Sequence, residues 1–187
     1  LVLLGQNTIS SLTEDDKSPQ AKICAVRYPV LRLKLMASHP WNFTINQAQL
    51  SLQVETPSHQ WKYQYGLPAD ILSDGVLALY ETSAAGRRQY LDFVSQRGLI
   101  LANVATMYID YQKNTDETLW PNYYTDLMAH VLAADIAFAI TRKTQVQQDF
   151  NRIVYGPGGE LQRAKALDAK AAPQNNTLQG YPIIDAR

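Results

Sequence analysis

Residues 116–150, DETLWPNYYTDLMAHVLAADIAFAITRKTQVQQDF, contain the longest helical hydrophobic pattern in the chain. Apolar side chains recur there every three or four residues, and they form two neighbouring stripes instead of one. A helix that is apolar nearly all round is normally buried among other elements. We therefore predict a central buried helix, and we expect four of its side chains in the core: Trp120, Leu127, Val131 and Phe138.

The ends of this helix are also indicated by the sequence. Asp116 or Thr118 can cap its start, and Pro121 is tolerated in the first turn because its missing N–H would be unbonded there. Arg142 and Lys143 suit the negative C-terminal end of a helix. We therefore expect the C-terminal end of the helix at these two basic residues.

The composition is that of an ordinary globular protein with a sizeable core, since 46% of the 187 residues are hydrophobic and 18% are charged. Seventeen basic residues balance seventeen acidic ones, which argues against tight, sequence-independent binding of nucleic acid. The single cysteine, Cys24, excludes an intramolecular disulfide and indicates no metal-binding cluster. No apolar run reaches the roughly 18 residues of a membrane span, so we expect no membrane contact.

The segment before residue 40 is predicted to be largely helical. Residues 1–5, LVLLG, are typical of the last turn of a helix followed by a glycine C-cap, with the start of that helix lying before the chain. Ser18 and Pro19 are expected to be the N-cap and first residue of a second helix. Pro29 lies inside this second helix and predicts a kink.

This second helix has an apolar stripe and a basic remainder. The stripe consists of Cys24, Tyr28, Leu31 and Leu35. The basic residues are Lys22, Arg27, Arg32 and Lys34. We interpret them as a solvated face, which in an assembly could meet an acidic partner. The acidic run before the helix, Glu14-Asp15-Asp16, is interpreted as a solvated loop instead of a cation site.

After His39 and Pro40 the hydrophobic period changes from that of a helix to that of a strand. Leu50, Leu52 and Val54 alternate with polar residues as in a half-buried strand. The alternation continues on an aromatic face formed by Trp61, Tyr63 and Tyr65. We interpret this face as a cross-strand packing ladder, with a ligand platform as the alternative. Further strands are expected at residues 76–82, 89–94, 99–104 and 106–112.

The C-terminal part begins with residues 156–159, GPGG, which predict a turn because they break helices and lack the lysine of a phosphate-binding loop. A last helix is expected from about Glu160 to Ala171. Its inward side chains would be Leu161, Ala164 and Leu167, and its outward ones Arg163, Lys165 and Lys170. Residues 173–187 have no helical period and predict an extended tail. Four apolar side chains could order this tail against another subunit: Leu178, Tyr181, Ile183 and Ile184.

Residues that could carry catalysis are few. Asp126 and His130 lie four apart on the predicted central helix and Asp135 follows, but the third ligand that a metal site needs is missing. We interpret the first two as a buried His–Asp hydrogen bond. His39 and His59 have no nucleophile in a recognisable context. We therefore expect no catalytic residue, no cofactor and no metal.

Together these patterns predict an α+β fold. Residues 1–40 and 115–172 would form a helical bundle around the central buried helix. Residues 41–114 would form an inserted antiparallel β lobe of five or six strands, and residues 173–187 the extended C-terminal tail.

The ordered set of motifs resembles the head-to-tail adaptor proteins of short-tailed bacteriophages, also called tail tubular protein A. The matching pieces span nearly the whole chain. They are Leu3-Leu4-Gly5 with Ile9 and Leu12; Cys24, Tyr28-Pro29, Arg32 and Leu35; His39-Pro40-Trp41-Asn42-Phe43; Tyr63-Gln64-Tyr65-Gly66-Leu67-Pro68-Ala69-Asp70; and Trp120 with Leu127, Leu132-Ala133 and Ala137. The chain departs from the family at residues 156–159, where the family more often continues its helix.

The resemblance implies a structural virion protein and not an enzyme. Family members form a ring of twelve subunits in the tail, at the head-tail junction. The ring docks beneath the portal protein, accepts the tail nozzle protein and continues the channel through which DNA leaves the capsid. A neutral chain suits a lumen through which DNA passes without specific binding. The apolar residues of the tail segment would then dock on the portal or on a neighbouring subunit.

Two alternatives belong to other functional classes. A tail-associated cell-wall hydrolase would need two carboxylates held about 5–10 Å apart. By residue type alone its candidates are Glu14, Asp70, Glu81 and Asp92. A binding module would instead use the aromatic face of Trp61, Tyr63 and Tyr65 for sugars or bases.

Overall fold

The computed structural model describes residues 1–9, 18–57, 60–84 and 88–171. Their fold is α+β, as the sequence predicts. Three short 3₁₀ helices accompany the regular elements, at Val2–Leu4, Asn42–Thr44 and Glu117–Leu119. The helices are α1 (Pro19–Ala37), α2 (Asn122–Thr141), α3 (Thr144–Tyr155) and α4 (Glu160–Ala171). The strands are β1 (Ile45–Gln49), β2 (Ser51–Leu52), β3 (Tyr63–Gly66), β4 (Ile71–Tyr80), β5 (Phe93–Gln96), β6 (Leu99–Ala102) and β7 (Tyr108–Lys113).

The stretch of residues 116–150 forms three elements. Asp116 caps the 3₁₀ helix, because its side chain accepts a hydrogen bond from the Thr118 N–H, and α2 begins only after Pro121. The C-terminal end of α2 is where the sequence predicts it. Arg142 adopts a left-handed conformation with φ of 58°, and its N–H donates to the carbonyl of Phe138. The chain then starts α3 in a new direction.

Helix α2 contacts α1, α3 and α4, and its buried side chains supply much of the helical core. Leu127 and Val131 are buried as predicted, and Trp120 is partly buried. The prediction for Phe138 is wrong, since 43% of this residue is exposed. The pattern is apolar around the whole helix, so it does not indicate which side the neighbouring helices leave open. By length and composition alone α2 could also cross a membrane, a property that core helices share.

Helix α1 begins as predicted, with the Ser18 hydroxyl accepting a hydrogen bond from the Ala21 N–H at 3.2 Å. It runs unbroken through Pro29. Its predicted stripe faces the core, and of the four residues only Tyr28 is partly exposed. At the N-terminus, Gly5 closes a 3₁₀ helix with φ of 67°, so the glycine C-cap is present on a tighter helix than expected.

Helix α4 follows a turn at residues 156–159 and has the predicted bounds. Ala164 is buried and Leu161 is partly buried, but Leu167 is exposed, which corrects the prediction. The third inward position belongs to Asp168. It lies four residues after Ala164, on the same side of the helix, and a carboxylate there is not expected from an apolar pattern.

The strands form two antiparallel sheets, with orders β1-β7-β4 and β2-β3-β6-β5. One cluster of buried side chains fills the region of the sheets, and it includes Tyr65, Leu79, Ile100, Met107, Ile109 and Tyr111. Strands β5 and β6 are joined by a tight turn. Arg97 and Gly98 both have positive φ there, 52° and 75°, as a two-residue hairpin turn requires.

The predicted strands correspond only partly to the observed ones. Strands β4, β5, β6 and β7 overlap the predicted ranges, although β5 starts four residues late, and β1 is not predicted at all. Strand β1 reads INQAQ and has no apolar alternation to detect. The strand predicted at Leu50, Leu52 and Val54 is present only as the short β2, and its half-buried pattern is wrong, because only Leu50 is buried. The chain passes from one sheet to the other here, so the alternation is not continued on one face.

The sheets and helices are joined by polar contacts near the end of α1. The side-chain amide of Gln112 on β7 donates to the carbonyl of His39 at 2.8 Å and to the Thr44 hydroxyl at 3.2 Å. The indole N–H of Trp41 donates to the carbonyl of Leu35 at 3.0 Å. Trp41 itself is buried against the ring of Tyr124 on α2. The His39-Pro40-Trp41-Asn42-Phe43 segment is thus a structural junction.

Candidate functional site

Helix α1 carries apolar side chains on two opposite sides. The inner side is buried, as predicted. The outer side consists of Val26, Val30 and Leu33, which are 69%, 57% and 43% exposed, and we call these three residues the outer stripe. Their spacings of four and three residues place them in one line about 10 Å long. The same spacing is present in the sequence. The outer stripe is not predicted, because the four basic residues of α1 indicate that this side of the helix is a solvated face.

The charges of α1 are all positive, since the helix has four basic residues and no acidic one. Arg27 forms a two-point ion pair with Asp135 on α2, with nitrogen–oxygen distances of 2.6 and 2.5 Å. Arg32 lies 3.3 Å from the carboxylate of Glu117 and donates to the carbonyl of Thr115 at 2.8 Å. Both arginines are therefore engaged in contacts within the chain.

Lys22 and Lys34 differ from these arginines. Both are exposed, and no carboxylate of the described residues lies within ion-pair distance of either ammonium group. On a helix of 3.6 residues per turn they fall on the two flanks of the outer stripe. The result is an apolar line bordered by two positive charges that have no counter-charge on the described chain.

The carboxylate of Asp168 is buried and hydrogen-bonded to two other segments of the chain. It is 2% exposed and accepts the backbone N–H of Asn42 at 3.1 Å and the hydroxyl of Tyr123 at 2.6 Å. The Asn42 side chain returns a hydrogen bond to the Asp168 carbonyl at 2.6 Å. Burial, with the carboxylate adding to it, raises the pKa of Tyr123. These bonds tie α4 to the Trp41 junction, which is a structural role.

His39 lies beside this carboxylate, with its Nε2 atom 3.9 Å from Asp168 Oδ2. That distance is too long for a hydrogen bond. Burial and the positive charge of Lys165 lower the pKa of His39, and they outweigh the opposing effect of Asp168. The neutral form of the imidazole is therefore favoured. At neutral pH His39 does not supply a positive charge for binding an anionic group.

The predicted pair on α2 is not formed. His130 Nδ1 lies 2.9 Å from the backbone carbonyl of Asp126, while the Asp126 side chain is exposed. The predicted buried His–Asp hydrogen bond is therefore wrong. The reason is local, because a histidine four residues along a helix reaches the backbone carbonyl of the preceding turn. Asp135 is occupied by Arg27.

The other candidate carboxylates lie apart from this region. Burial would raise the pKa of Asp70, but bonds from Lys113 and Tyr111, each at 3.1 Å, bring it below its usual value. Glu81 and Asp92 are exposed. Within the described ranges no three His, Cys, Asp or Glu side chains are grouped closely enough to hold a metal ion.

Several predicted residues lie outside the described ranges. They are Glu14, Asp15, Asp16, His59 and the four tail residues Leu178, Tyr181, Ile183 and Ile184.

The aromatic face divides into two environments. Tyr65 is buried in the sheet cluster, and its hydroxyl donates to the carbonyl of Val104. Trp61 instead lines an open cleft of about 460 Å³ on the other side of the four-stranded sheet. The three aromatic side chains therefore do not form one platform. The cleft also contains residues that no sequence motif indicates, namely Gln60, Gln64, Gln96 and Arg97.

No protein-family model matches the chain, and a search of curated proteins found no match. The resemblance to head-to-tail adaptor proteins therefore stays a prediction.

Proposed function

We propose that the protein is a structural subunit of a homo-oligomeric ring, the head-to-tail adaptor in the virion of a short-tailed bacteriophage. The observation that carries the proposal is the outer stripe of α1. Three apolar side chains in line, exposed on a single chain, are typical of a surface that another protein covers. In this proposal the ring joins the portal protein to the tail nozzle protein, and its subunits number twelve.

Three aspartates have a structural role, and Asp70, one of the hydrolase candidates, is among them. Asp135, Asp168 and Asp70 each bond to a neighbouring basic or hydroxyl group that joins two elements of the chain. A hydrolase would need carboxylates that are free to act on a substrate. These three are engaged in holding elements together.

The proposal also assigns the finer arrangement of the fold. Residues 1–40 and 115–172 form a helical bundle around α2, residues 41–114 form the inserted lobe, and residues 173–187 form the tail. A ring needs unlike surfaces on the two sides of each subunit, because one face meets a different face of the next copy. A helical part and a strand part supply such surfaces.

The charge balance is consistent with a DNA channel. Equal numbers of basic and acidic residues leave no excess of positive charge to hold phosphate groups. DNA can then slide through the lumen without specific binding, and neither a membrane nor a cofactor has a part in this function.

The tail has a separate role in the proposal. We infer that Leu178, Tyr181, Ile183 and Ile184 dock on the portal or on a neighbouring subunit. Deletion of residues 178–187 is then expected to leave the unfolding midpoint nearly unchanged and to impair attachment to portal-bearing heads. Unfolding of the truncated chain, or full attachment without the tail, would contradict this role.

The experiment that tests the main proposal is native mass measurement of the purified protein, alone and mixed with a portal protein. We expect a ring, or a portal-bound complex with many copies. A chain that stays monomeric under both conditions would overturn the proposal, and lytic activity of that monomer on cell walls would favour the hydrolase.

A second candidate function rests on the Trp61 cleft. An indole ring beside three carboxamide side chains, with Glu55 and Arg97 also in the lining, suits a polar ligand such as a saccharide. Calorimetric titration with soluble cell-surface oligosaccharides would test it. Binding that is lost in Trp61→Ala and kept in Tyr63→Phe would support a binding module, and absence of binding to the wild-type protein would remove this candidate.

A further inference from the structure

We propose that the outer stripe of α1 packs against a second copy of this chain, on a surface that carries carboxylates and is not α1 itself. This inference rests on the proposed ring function and names the contact that builds the ring. It follows from the exposed apolar line of α1, from the flanking lysines, which have no ion pair among the described residues, and from the distribution of charge over the rest of the chain.

The apolar line is available to a protein partner. Val26, Val30 and Leu33 are exposed, while Cys24, Leu31 and Leu35 already supply the side of α1 that faces the core. The outer residues therefore add nothing to the interior of the subunit. Their spacing of four and three residues is that of a helix face laid on another protein surface.

The lysines exclude a symmetric contact between two α1 helices. Such a contact would place Lys22 and Lys34 of both copies around one apolar seam, and α1 has no acidic residue to separate them. Like charges brought together at an interface are unfavourable. The two faces in contact must therefore differ.

The chain itself contains the complementary charge. Basic and acidic residues are equal in number over the whole sequence, and α1 holds four basic residues and no acidic one. The remainder of the chain consequently has an excess of four acidic residues. A second copy can thus offer carboxylates to the lysines of the first.

A suitable surface of this kind is present among the described residues. Val54 and Leu91 are strongly exposed, and each is followed by an exposed carboxylate, Glu55 and Asp92. Strand β2 leads toward the first pair and β5 follows the second. Because the sheet order is β2-β3-β6-β5 and every pairing is antiparallel, both pairs lie at the same end of the four-stranded sheet.

A contact between unlike faces repeats from copy to copy, and it closes into a ring when the rotation between copies is suitable. The inner side of α1 would then stabilise the subunit, while the outer side would join it to the next one. Lys22 and Lys34 would set the orientation, so that α1 cannot pair with itself.

Site-specific photo-crosslinking tests this inference. Val30 is replaced by a photoreactive benzoylphenylalanine in the full chain, and isotope-labelled and unlabelled copies are mixed before irradiation of the assembled form. We expect crosslinks between copies, to a peptide outside residues 19–37. Crosslinks to α1 of the other copy, crosslinks confined to one chain, or none between copies would overturn the inference.

A charge-reversal pair gives an independent readout. Lys22→Glu with Lys34→Glu is expected to weaken self-association on the order of tenfold or more, with the unfolding midpoint unchanged. The matched control is Lys143→Glu with Lys170→Glu, which changes the net charge equally at exposed lysines outside α1. Equal weakening in both double variants would mean a net-charge effect and would overturn the inference.

The failure of this inference and the failure of the proposed function are distinguishable. If the wild-type protein forms rings and the Lys22 and Lys34 variant forms them equally well, only the α1 contact is wrong. If the wild-type protein forms neither a ring nor a complex with the portal, the proposed function is wrong as well.

Discussion

The two sides of α1 carry the same kind of side chain in different surroundings. Leu33 and Leu35 are two residues apart, yet Leu35 is 6% exposed in the core and Leu33 is 43% exposed on the outer stripe. A helix that is apolar on one side needs one partner, whereas a helix that is apolar on two sides needs two. The difference suggests that α1 serves both the fold of the subunit and its assembly.

The strongest test of this comparison replaces each of the two leucines by alanine in a separate variant. Leu35→Ala is expected to cost about 2–5 kcal/mol of unfolding free energy, because it leaves a cavity in the core. Leu33→Ala, the same substitution on the other side, should change it by about 0.5 kcal/mol or less. Urea unfolding of both variants measures the difference, and equal losses would contradict the distinction between the two sides.

A second test asks whether a polar contact on the inner side of a helix contributes as much as an apolar one. Asp168→Ala leaves the Asn42 N–H and the Tyr123 hydroxyl without their acceptor, at an expected cost of about 2–4 kcal/mol. Asp126→Ala on α2 is the control, because that side chain is exposed and its loss should be nearly neutral. Similar small effects of both variants in urea unfolding would show that Asp168 does not hold α4 in place.

A third test extends the comparison to α2. Phe138 is about as exposed as Leu33, so Phe138→Ala should cost only about 1–2 kcal/mol. Leu127→Ala, a fully buried position on the same helix, should cost about 2–5 kcal/mol. Thermal unfolding would measure both changes. A loss of several kcal/mol at Phe138 would mean that its exposed ring is covered in the protein as it exists in solution.

The smallest expected effect concerns pH and the junction at the end of α1. Burial and the charge of Lys165 lower the pKa of His39, so protons bind the unfolded chain more strongly than the folded one. The stability that neutral His39 contributes is present above its unfolded pKa of about 6.5 and is lost as the pH falls through its lower folded value. Unfolding free energies between about pH 7 and 5 should fall less steeply in His39→Gln.

The effect of Asp70 on pH dependence must be separated from that of His39. Its folded pKa is also lowered, so its contribution is lost in acid too, but below about pH 4. Asp70→Asn is therefore the control, and between about pH 7 and 5 it should leave the slope unchanged. An unchanged slope in His39→Gln would contradict the protonation argument.

The sequence predicts elements well where the deciding chemistry is local. The Ser18 cap, the end of α2 at Arg142 and the turn at residues 156–159 all lie close to their predicted positions. Caps, left-handed residues and helix breakers act on the backbone within a few residues. Strand β1 has no such signal, because INQAQ owes its place to its pairing with β7.

The candidate site is only partly predictable. The sequence indicates Lys22 and Lys34 as residues that could meet an acidic partner, and the structure leaves both without an ion pair on the described chain. The outer stripe between them is not predicted. The sequence places Trp61 and Tyr65 on one face, but the fold puts the two on opposite sides of a sheet, because residue 61 precedes the regular alternation of β3.

By itself the sequence determined that α1, α2 and α4 are helical, where α1 begins and α2 ends, and that the chain has no excess charge with which to hold DNA, but it did not indicate α3 as a separate helix. Local backbone preferences and composition are sufficient for these properties. Only the tertiary structure decided which side of each helix is covered. Where apolar residues lie on both sides of a helix, as on α1 and α2, periodicity allows either to face the core. The choice between them is made by packing against residues distant in sequence, which at Asp168 placed a carboxylate inside and at Val30 left an apolar side chain outside.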